Sequence, residues 1–249
     1  MLGLGLNIAK SPLVESYTFT DPTSIPGLQS WWKYKYGYRN SSGTLKDITT
    51  TWATDDTNLS QWDDQVSGNH LVQITANDQP RFVLADYSVN FKNNAKFWDI
   101  TTHFVLTDYT INVVCKFDNT IVNRTFFAGD DPPFDGVPDD LIRIVSSTQI
   151  NFKYAGISLI INGLTTLAIN TYYVFTFRRE GATTTVYVNG VKWGFVIEMT
   201  PVNIFYISHA GSNDPESQTY KGQWKDATVY NRALTPTEIT DMNTYLQAL

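Results

Sequence analysis

The chain has a single cysteine, Cys115, so no disulfide can form within it. Its neighbours Val113, Val114 and Phe117 read as a strand. Cys115 is therefore expected to be a buried apolar thiol; a catalytic thiol needs a base close by, and none is suggested. No apolar run approaches the ~18 residues of a membrane span. The first eight residues are apolar, but they lack a basic segment and a cleavage site, which argues against a signal peptide. Asn40, Asn58 and Asn123 fit the N-x-[ST] pattern, which carries little weight without secretion. Only 17% of the residues are charged, which leaves little material for long solvated helices. Lys and Arg are scattered and the net charge is −6, so the electrostatic footprint of nucleic-acid binding is missing.

Reactive constellations are equally scarce. His70, His103 and His209 are far apart, and none has metal-ligand spacing with another His or Cys. No nucleophile elbow occurs, and no Gly-rich loop follows a strand and opens a helix.

What the sequence does have is aromatic and β-branched residues in short runs. Aromatics make up 14% of the 249 residues; with Thr, Val and Ile they suit a pleated, half-buried surface. Strands are expected at 69–74, 88–92, 110–118, 124–128, 141–146, 149–154 and 157–161, with turn signals between them. That spacing favours a sandwich or barrel over βαβ units. The clearest local pattern spans 171–195. Tyr173, Phe175 and Phe177 share a face at period two. Glu180-Gly181 supplies one turn, and Asn189-Gly190 supplies a second of the kind that needs positive φ. A three-stranded meander follows.

One helix is expected, at the C-terminus. Thr235-Pro-Thr-Glu238 is a capping box with proline at the first helical position. Leu234 and Ile239 are placed as a hydrophobic staple, and Ile239, Met242, Leu246 and Leu249 form one apolar stripe. The helix should run for about eleven residues and pack on a sandwich edge or close the domain. Residues 1–24 read as an arm and 25–249 as one domain. The alternating Leu2, Leu4, Leu6 and Ile8 of the arm are candidates for docking on a partner protein.

In order, these features resemble the concanavalin A-like lectin/glucanase superfamily, specifically its laminin G-like jelly-roll domains, over residues 25–248. Four segments carry the resemblance. Ile25-Pro-Gly-Leu-Gln-Ser-Trp-Trp32 is similar to the family's opening strand. Trp62-Asp-Asp-Gln-Val-Ser-Gly68 with Gln79-Pro-Arg-Phe82 is similar to its W-x-D-x-S-G … Q-P-x-F segment, stretched here by one residue. Arg179 to Gly190 resembles its hairpin ending in Y-V-N-G. Tyr220 to Ile239 is close to its closing strand and helix. The resemblance implies an all-β fold, two antiparallel sheets packed face to face with one short C-terminal helix.

Family members that cleave glycans carry E-x-D-x-x-E on one strand, and glycosidases need two carboxylates across a cleft. No such pattern occurs here: Glu15, Glu180, Glu198, Glu216 and Glu238 are isolated. No catalytic residue is assigned, and a non-enzymatic role is expected. Members of the family that bind Ca²⁺ do so near a sandwich rim. The stretch from Gly129 to Asp140 holds five aspartates, of which Asp130, Asp131, Asp135 and Asp139 are candidate hard-oxygen ligands. No other cofactor is required.

The crowded aromatics at 31–38 offer a second candidate site. Were this segment a strand, Trp32, Tyr34, Tyr36 and Tyr38 would share a face. Trp31 or Trp32 is expected in the core. Tyr34, Tyr36 and Tyr38 are the candidate ligand-binding residues, a platform for sugar rings.

The resemblance extends to tail and capsid proteins of bacteriophages. It implies a virion component, a capsid decoration or tail-fibre protein held to other virion proteins by its N-terminal arm and arranged as a homo-oligomer or symmetric array. The alternative is a carbohydrate-binding lectin module for attachment to host surface glycans, and a weaker one is a glycan hydrolase. Neither nucleic acid nor membrane is expected as a partner.

Overall fold

The structure is a computed structural model that describes residues 18–46, 58–91, 98–118, 121–130, 139–154, 157–197, 202–207 and 220–249. Two antiparallel sheets face each other, as expected. The first runs in the order β16 (Val191–Ile197), β15 (Thr183–Val188), β14 (Tyr173–Glu180), β9 (Tyr109–Phe117), β18 (Gly222–Tyr230), β7 (Ser88–Asn90) and β6 (Arg81–Val83). The strand β1 (Leu28–Trp32) pairs with the far end of β18. The second sheet runs in the order β13 (Ile157–Asn162), β12 (Gln149–Tyr154), β11 (Asp139–Ser146), β10 (Arg124–Asp130), β17 (Val202–Ile207), β8 (Trp98–Leu106), β5 (Leu71–Val72), β4 (Leu59–Trp62), β2 (Tyr38–Asn40) and β3 (Leu45–Lys46).

The period-two pattern fixes which side chains enter the space between the sheets. In β9, Tyr109, Ile111, Val113, Cys115 and Phe117 point inward, and Phe175 and Phe177 do so from β14. Five tryptophans are fully buried there: Trp32, Trp62, Trp98, Trp193 and Trp224. The Cys115 thiol lies among them, and burial pushes its pKa up.

The meander around residues 171–195 forms with the expected turn. Asn189 and Gly190 both have positive φ, at 52° and 76°, which matches the right-handed twist of β15 and β16. Asn189 also locks the hairpin to β14, since its side-chain oxygen accepts from the amide of Val174 at 2.9 Å.

Strands β9, β14 and β18 are buried on both faces, because a second core covers the outer face of their sheet. The helix α1 (Pro236–Gln247) lies there, and Ile239, Met242 and Leu246 pack with Val114, Val174 and Tyr230. The capping box is present. The Thr235 hydroxyl accepts from the amide of Glu238 at 3.3 Å, and the Glu238 carboxylate accepts from the amide of Thr235 at 2.7 Å. Glu238 also pairs with Arg232. Burial alone would raise the Glu238 carboxyl, but Arg232 and the cap outweigh it and hold its pKa below the usual value. Replacing Thr235 with alanine orphans one helix amide. It is expected to cost about 1 kcal/mol, read as a fall in Tm of roughly 2–4 °C by calorimetry.

The Trp62-Asp-Asp-Gln-Val-Ser-Gly motif turns out to be a structural lock. Asp64 accepts from the amides of Trp31, Val66, Ser67 and Asn69 at 2.7–3.1 Å and from the hydroxyls of Ser67 and Ser30. One carboxylate thereby closes the 64–69 loop and ties it to β1.

Candidate functional site

Helix α1 covers only part of the outer face. Beneath it runs a buried polar row: Thr176 donates to the Asn112 amide oxygen at 2.7 Å, and the Asn112 amide nitrogen donates to Thr228 at 3.0 Å. Beyond the end of the helix the face opens into a cleft of about 270 Å³, bordered by Tyr172, Val174, Lys225, Leu246 and Leu249. The strands approach closely there. A Cβ on Gly222 would collide with the carbonyl oxygen of Lys116 on β9, so β18 can lie against β9 at this point only with glycine.

Three lysines and three tyrosines converge beside the cleft. The Lys225 ammonium lies 4.3 Å from the ring centre of Tyr172 and 5.3 Å from that of Tyr34. Lys35 sits 4.8 Å from the rings of both Tyr34 and Tyr87. Lys116 is 4.8 Å from Tyr172 and 3.2 Å from the carboxylate of Asp86. An ammonium over an aromatic face is attracted by the ring quadrupole, which orders these long side chains.

Asp86 is the hub of the hydrogen bonds. Ser88 donates to it at 2.6 Å and Tyr172 at 2.6 Å. Burial alone would raise its pKa; these two hydroxyls and Lys116 outweigh that effect and lower it. Burial and the Asp86 carboxylate raise the Tyr172 phenol, so it remains a donor. The Gln223 amide lies 2.7 Å from Ser88 and 3.0 Å from Tyr172. Each hydroxyl has one proton and gives it to Asp86, so an amide turned with its NH₂ towards them donates to both hydroxyl oxygens.

The loop carrying Tyr34 is held from below by Asp226. The indole nitrogen of Trp31 donates to both its oxygens at 3.1 and 3.2 Å, and the Tyr34 amide donates at 2.9 Å. Burial pushes the Asp226 pKa up to about 7 against these donors.

The sequence-derived candidates fare unevenly. The 31–38 strand does not form. The chain turns at 33–37, where Lys35 and Gly37 have φ of 69° and 75°. The expected row of Trp32, Tyr34, Tyr36 and Tyr38 is therefore broken. Trp31, Trp32 and Tyr38 are buried, whereas Tyr34 and Tyr36 are half-buried. Tyr38 packs against Trp62 and Phe82 in the core and offers no face to a ligand. Tyr34 alone of the three belongs to the cluster.

Asp131 and Asp135 lie outside the described residues, as do Leu2, Leu4, Leu6 and Ile8. Asp130 ends β10 and Asp139 begins β11. Among the described residues no group of three His, Cys, Asp or Glu side chains is placed to hold a metal ion. Of the segment read as an arm, residues 18–24 lie on the sandwich: Phe19 meets Tyr245 edge-on, and the Tyr230 hydroxyl donates to the carbonyl of Pro22 at 2.9 Å.

Lys35, Asp86, Tyr87, Lys116, Tyr172, Lys225 and Gln223 were missed. They come from five separate places in the chain, and no spacing joins them. The faint signals were Lys116 at an outward position of the apolar β9 and Lys225 at one of β18.

Residues 91–240 match the family described as the concanavalin A-like lectin/glucanases superfamily, and the chain belongs to it. Among solved structures, Trypanosoma rangeli sialidase in complex with sialic acid is similar, with a TM-score of 0.56 at 15% identity over 93% of this chain and 36% of that one. The same sialidase in complex with 2,3-difluorosialic acid, a covalent intermediate, gives 0.56 at 15% over 88% and 33%. A SAP-like pentraxin from Limulus polyphemus matches at 0.47 and 13% identity, over 58% of this chain and 73% of that one. At such identities the likeness is one of fold. The chain spans about a third of the length of the sialidases. No curated protein matches it.

These matches overturn the expectation that the chain is not an enzyme. That expectation rested on a missing E-x-D-x-x-E motif, yet sialidases are among the solved chains that share the fold.

Proposed function

We propose that this chain is a glycan-binding module and that its ligand lies on the outer face of the β9–β14–β18 sheet, in the cleft beside α1. The observation that carries the reading is the convergence of the half-buried rings of Tyr34, Tyr87 and Tyr172 with the ammonium groups of Lys35, Lys116 and Lys225, in a cluster that reaches the cleft through Tyr172 and Lys225. An aromatic ring gives the apolar face of a sugar a partner, and fixed polar groups beside it orient the hydroxyls. Membership of the superfamily and the fold shared with sialidases support this reading.

A glycan array tests it. Wild-type protein is expected to retain a subset of glycans. Tyr34→Ala and Tyr172→Ala should each lose roughly tenfold in affinity, as expected for a ring that anchors an interface. Retention of no glycan, or unaltered binding by both variants, would sink the reading. Incubating the retained glycans with the protein and assaying released sugar asks whether the chain also turns them over. The virion setting rests on the resemblance alone, and neither the cluster nor the matched structures favour it.

A further inference from the structure

We propose that the chain pairs with a second copy of itself through the outer edge of β13, which joins the ten-stranded sheets of the two copies across a twofold axis. This goes beyond the glycan-binding reading and does not depend on it.

The sheets end at β6 and β16 on one side of the core and at β3 and β13 on the other. Exposed edges are normally blunted against pairing, and three of these are. β3 has two residues, one a lysine, and β6 has three, one an arginine. β16 carries Lys192 and skips Trp193 in its pairing with β15. The short β1, beside β18, is covered by the 64–69 loop tied to it. β13 is different. Ile157-Ser-Leu-Ile-Ile-Asn162 holds no charge and no proline, and it pairs with β12 in unbroken register. Nothing pairs with its other side among the described residues.

The ladder with β12 shows which main-chain groups of β13 face outward. Gly163 donates to the carbonyl of Thr148 at 2.7 Å, one step beyond the last paired residues. Hydrogen-bonded positions recur at every second residue of an antiparallel pair, so Ile157, Leu159 and Ile161 face β12 as well. Ser158, Ile160 and Asn162 therefore turn their N–H and C=O groups away from it. These three positions are self-complementary. Antiparallel pairing centred on Ile160 sets Ile160 against itself and Ser158 against Asn162 of the second copy, so each outward donor and acceptor is matched. Isoleucine meets isoleucine, and the two polar side chains meet each other.

The surface beside β13 is apolar enough to be an interface. A Cβ on Gly194 would collide with Ile161, so β16 runs close along β13. Ile160 and Leu164 share a groove of about 420 Å³ with Lys192 and Phe195. Val191 and Ile197 stand at the two ends of β16. Ile160, Leu164, Val191, Phe195 and Ile197 are between 49% and 78% exposed. Together they offer roughly 600 Å² of surface, which is large for a patch on a monomer and most of the ~800 Å² that each partner buries in a stable interface. A strand seated about 4.8 Å beyond β13 lies over this groove.

Sedimentation velocity on the full chain tests this. Wild type is expected to run at twice the 28.2 kDa of one chain. Ile160→Lys sets like charges against each other at the axis and should weaken the dimer by roughly tenfold or more. Ile160→Pro removes an N–H that only the second copy uses and should do the same, since an edge strand tolerates proline on its free side. Ile74→Lys, beside β5 and far along the same sheet, should change nothing. Cysteines fix the register. Ile160→Cys should form a disulfide between copies on oxidation with diamide, because the paired Cα atoms lie about 5.5 Å apart. Ser158→Cys alone should not, whereas Ser158→Cys combined with Asn162→Cys should. The native Cys115 is buried and takes no part. Melting curves confirm that each variant is folded; Ile160→Lys and the cysteine variants stand should Ile160→Pro fail to fold.

A wild-type mass of one chain at the highest soluble concentration would overturn the proposal and leave the edge to another segment or another protein. A dimer that persists in folded Ile160→Lys, with no crosslink through Ile160→Cys, would place the interface elsewhere and overturn it as well. So would a mass that climbs past two chains with concentration, the mark of open-ended pairing.

Discussion

Trp224→Ala is expected to lower the unfolding free energy by about 4 kcal/mol, with a fall in Tm of roughly 10 °C. Trp224 is fully buried where the two sheets meet. Its ring centre lies 5.7 Å from those of Phe91 and Tyr220 and 5.8 Å from that of Phe127, so it packs its own sheet against β10 of the facing one. Truncation removes the transfer free energy of an indole. It also leaves a cavity that stiff aromatic neighbours on opposing strands cannot close.

The Trp224 indole N–H finds no acceptor among the described residues. Trp224→Phe therefore removes an unsatisfied donor along with part of the ring and should cost far less than the alanine variant. Ile74→Ala, at a side chain 91% exposed, should stay within about 0.5 kcal/mol of wild type. Equal Tm values for the two Trp224 variants would contradict this account of the core.

The second large effect is a pH dependence centred on Asp226. Its carboxyl is buried and its folded-state pKa is raised from 3.8 to about 7. Between those values the folded protein holds a proton that the unfolded chain has released. The stability from this group is complete below the unfolded pKa, declines as pH rises from about 4 to 7, and is lost above that. The full swing amounts to about 4 kcal/mol.

Asp86 and Glu238 act in the opposite sense, since their folded pKa values are lowered. Their contribution is present above the unfolded carboxylate pKa and is lost as pH falls through it to the folded value. Asp99, whose carboxyl burial also raises, acts in the same sense as Asp226. Wild type should be less stable at pH 8 than at pH 5, and Asp226→Asn should make that slope markedly shallower. Asparagine is neutral throughout and can still accept from Trp31 or Tyr34. Chemical denaturation at the two pH values measures both proteins. Identical slopes would mean that Asp226 titrates as an ordinary exposed carboxyl.

What the sequence disclosed and what it hid follow from range. The Asn189-Gly190 turn and the Thr235 capping box are set by residues within four positions of one another, and both form as expected. The inward faces of β9 and β14 were legible because side chains alternate along a strand. The same reasoning failed at 31–38, where it assumed an extended chain. Gly37 was a visible warning of a turn, whereas the positive φ of Lys35 carried no signal in its residue type.

The cluster was hidden for a different reason. Tyr34, Asp86, Lys116, Tyr172 and Lys225 meet only because β14, β9, β18 and β7 pair in that spatial order, and strand order is not written in any local pattern. Asp64 was the reverse case: a residue inside a motif whose work is to hold a loop.

Everything proposed about function depends on where the ligand sits. Protein carrying ¹³C-labelled tyrosine rings, titrated with a glycan that it retains, answers this directly by NMR. The account predicts shifts at Tyr34, Tyr87 and Tyr172, with the rings of Tyr38 and Tyr109, buried in the core, unmoved. Shifts that spare those three tyrosines and fall elsewhere in the chain would place the site on another surface and contradict it.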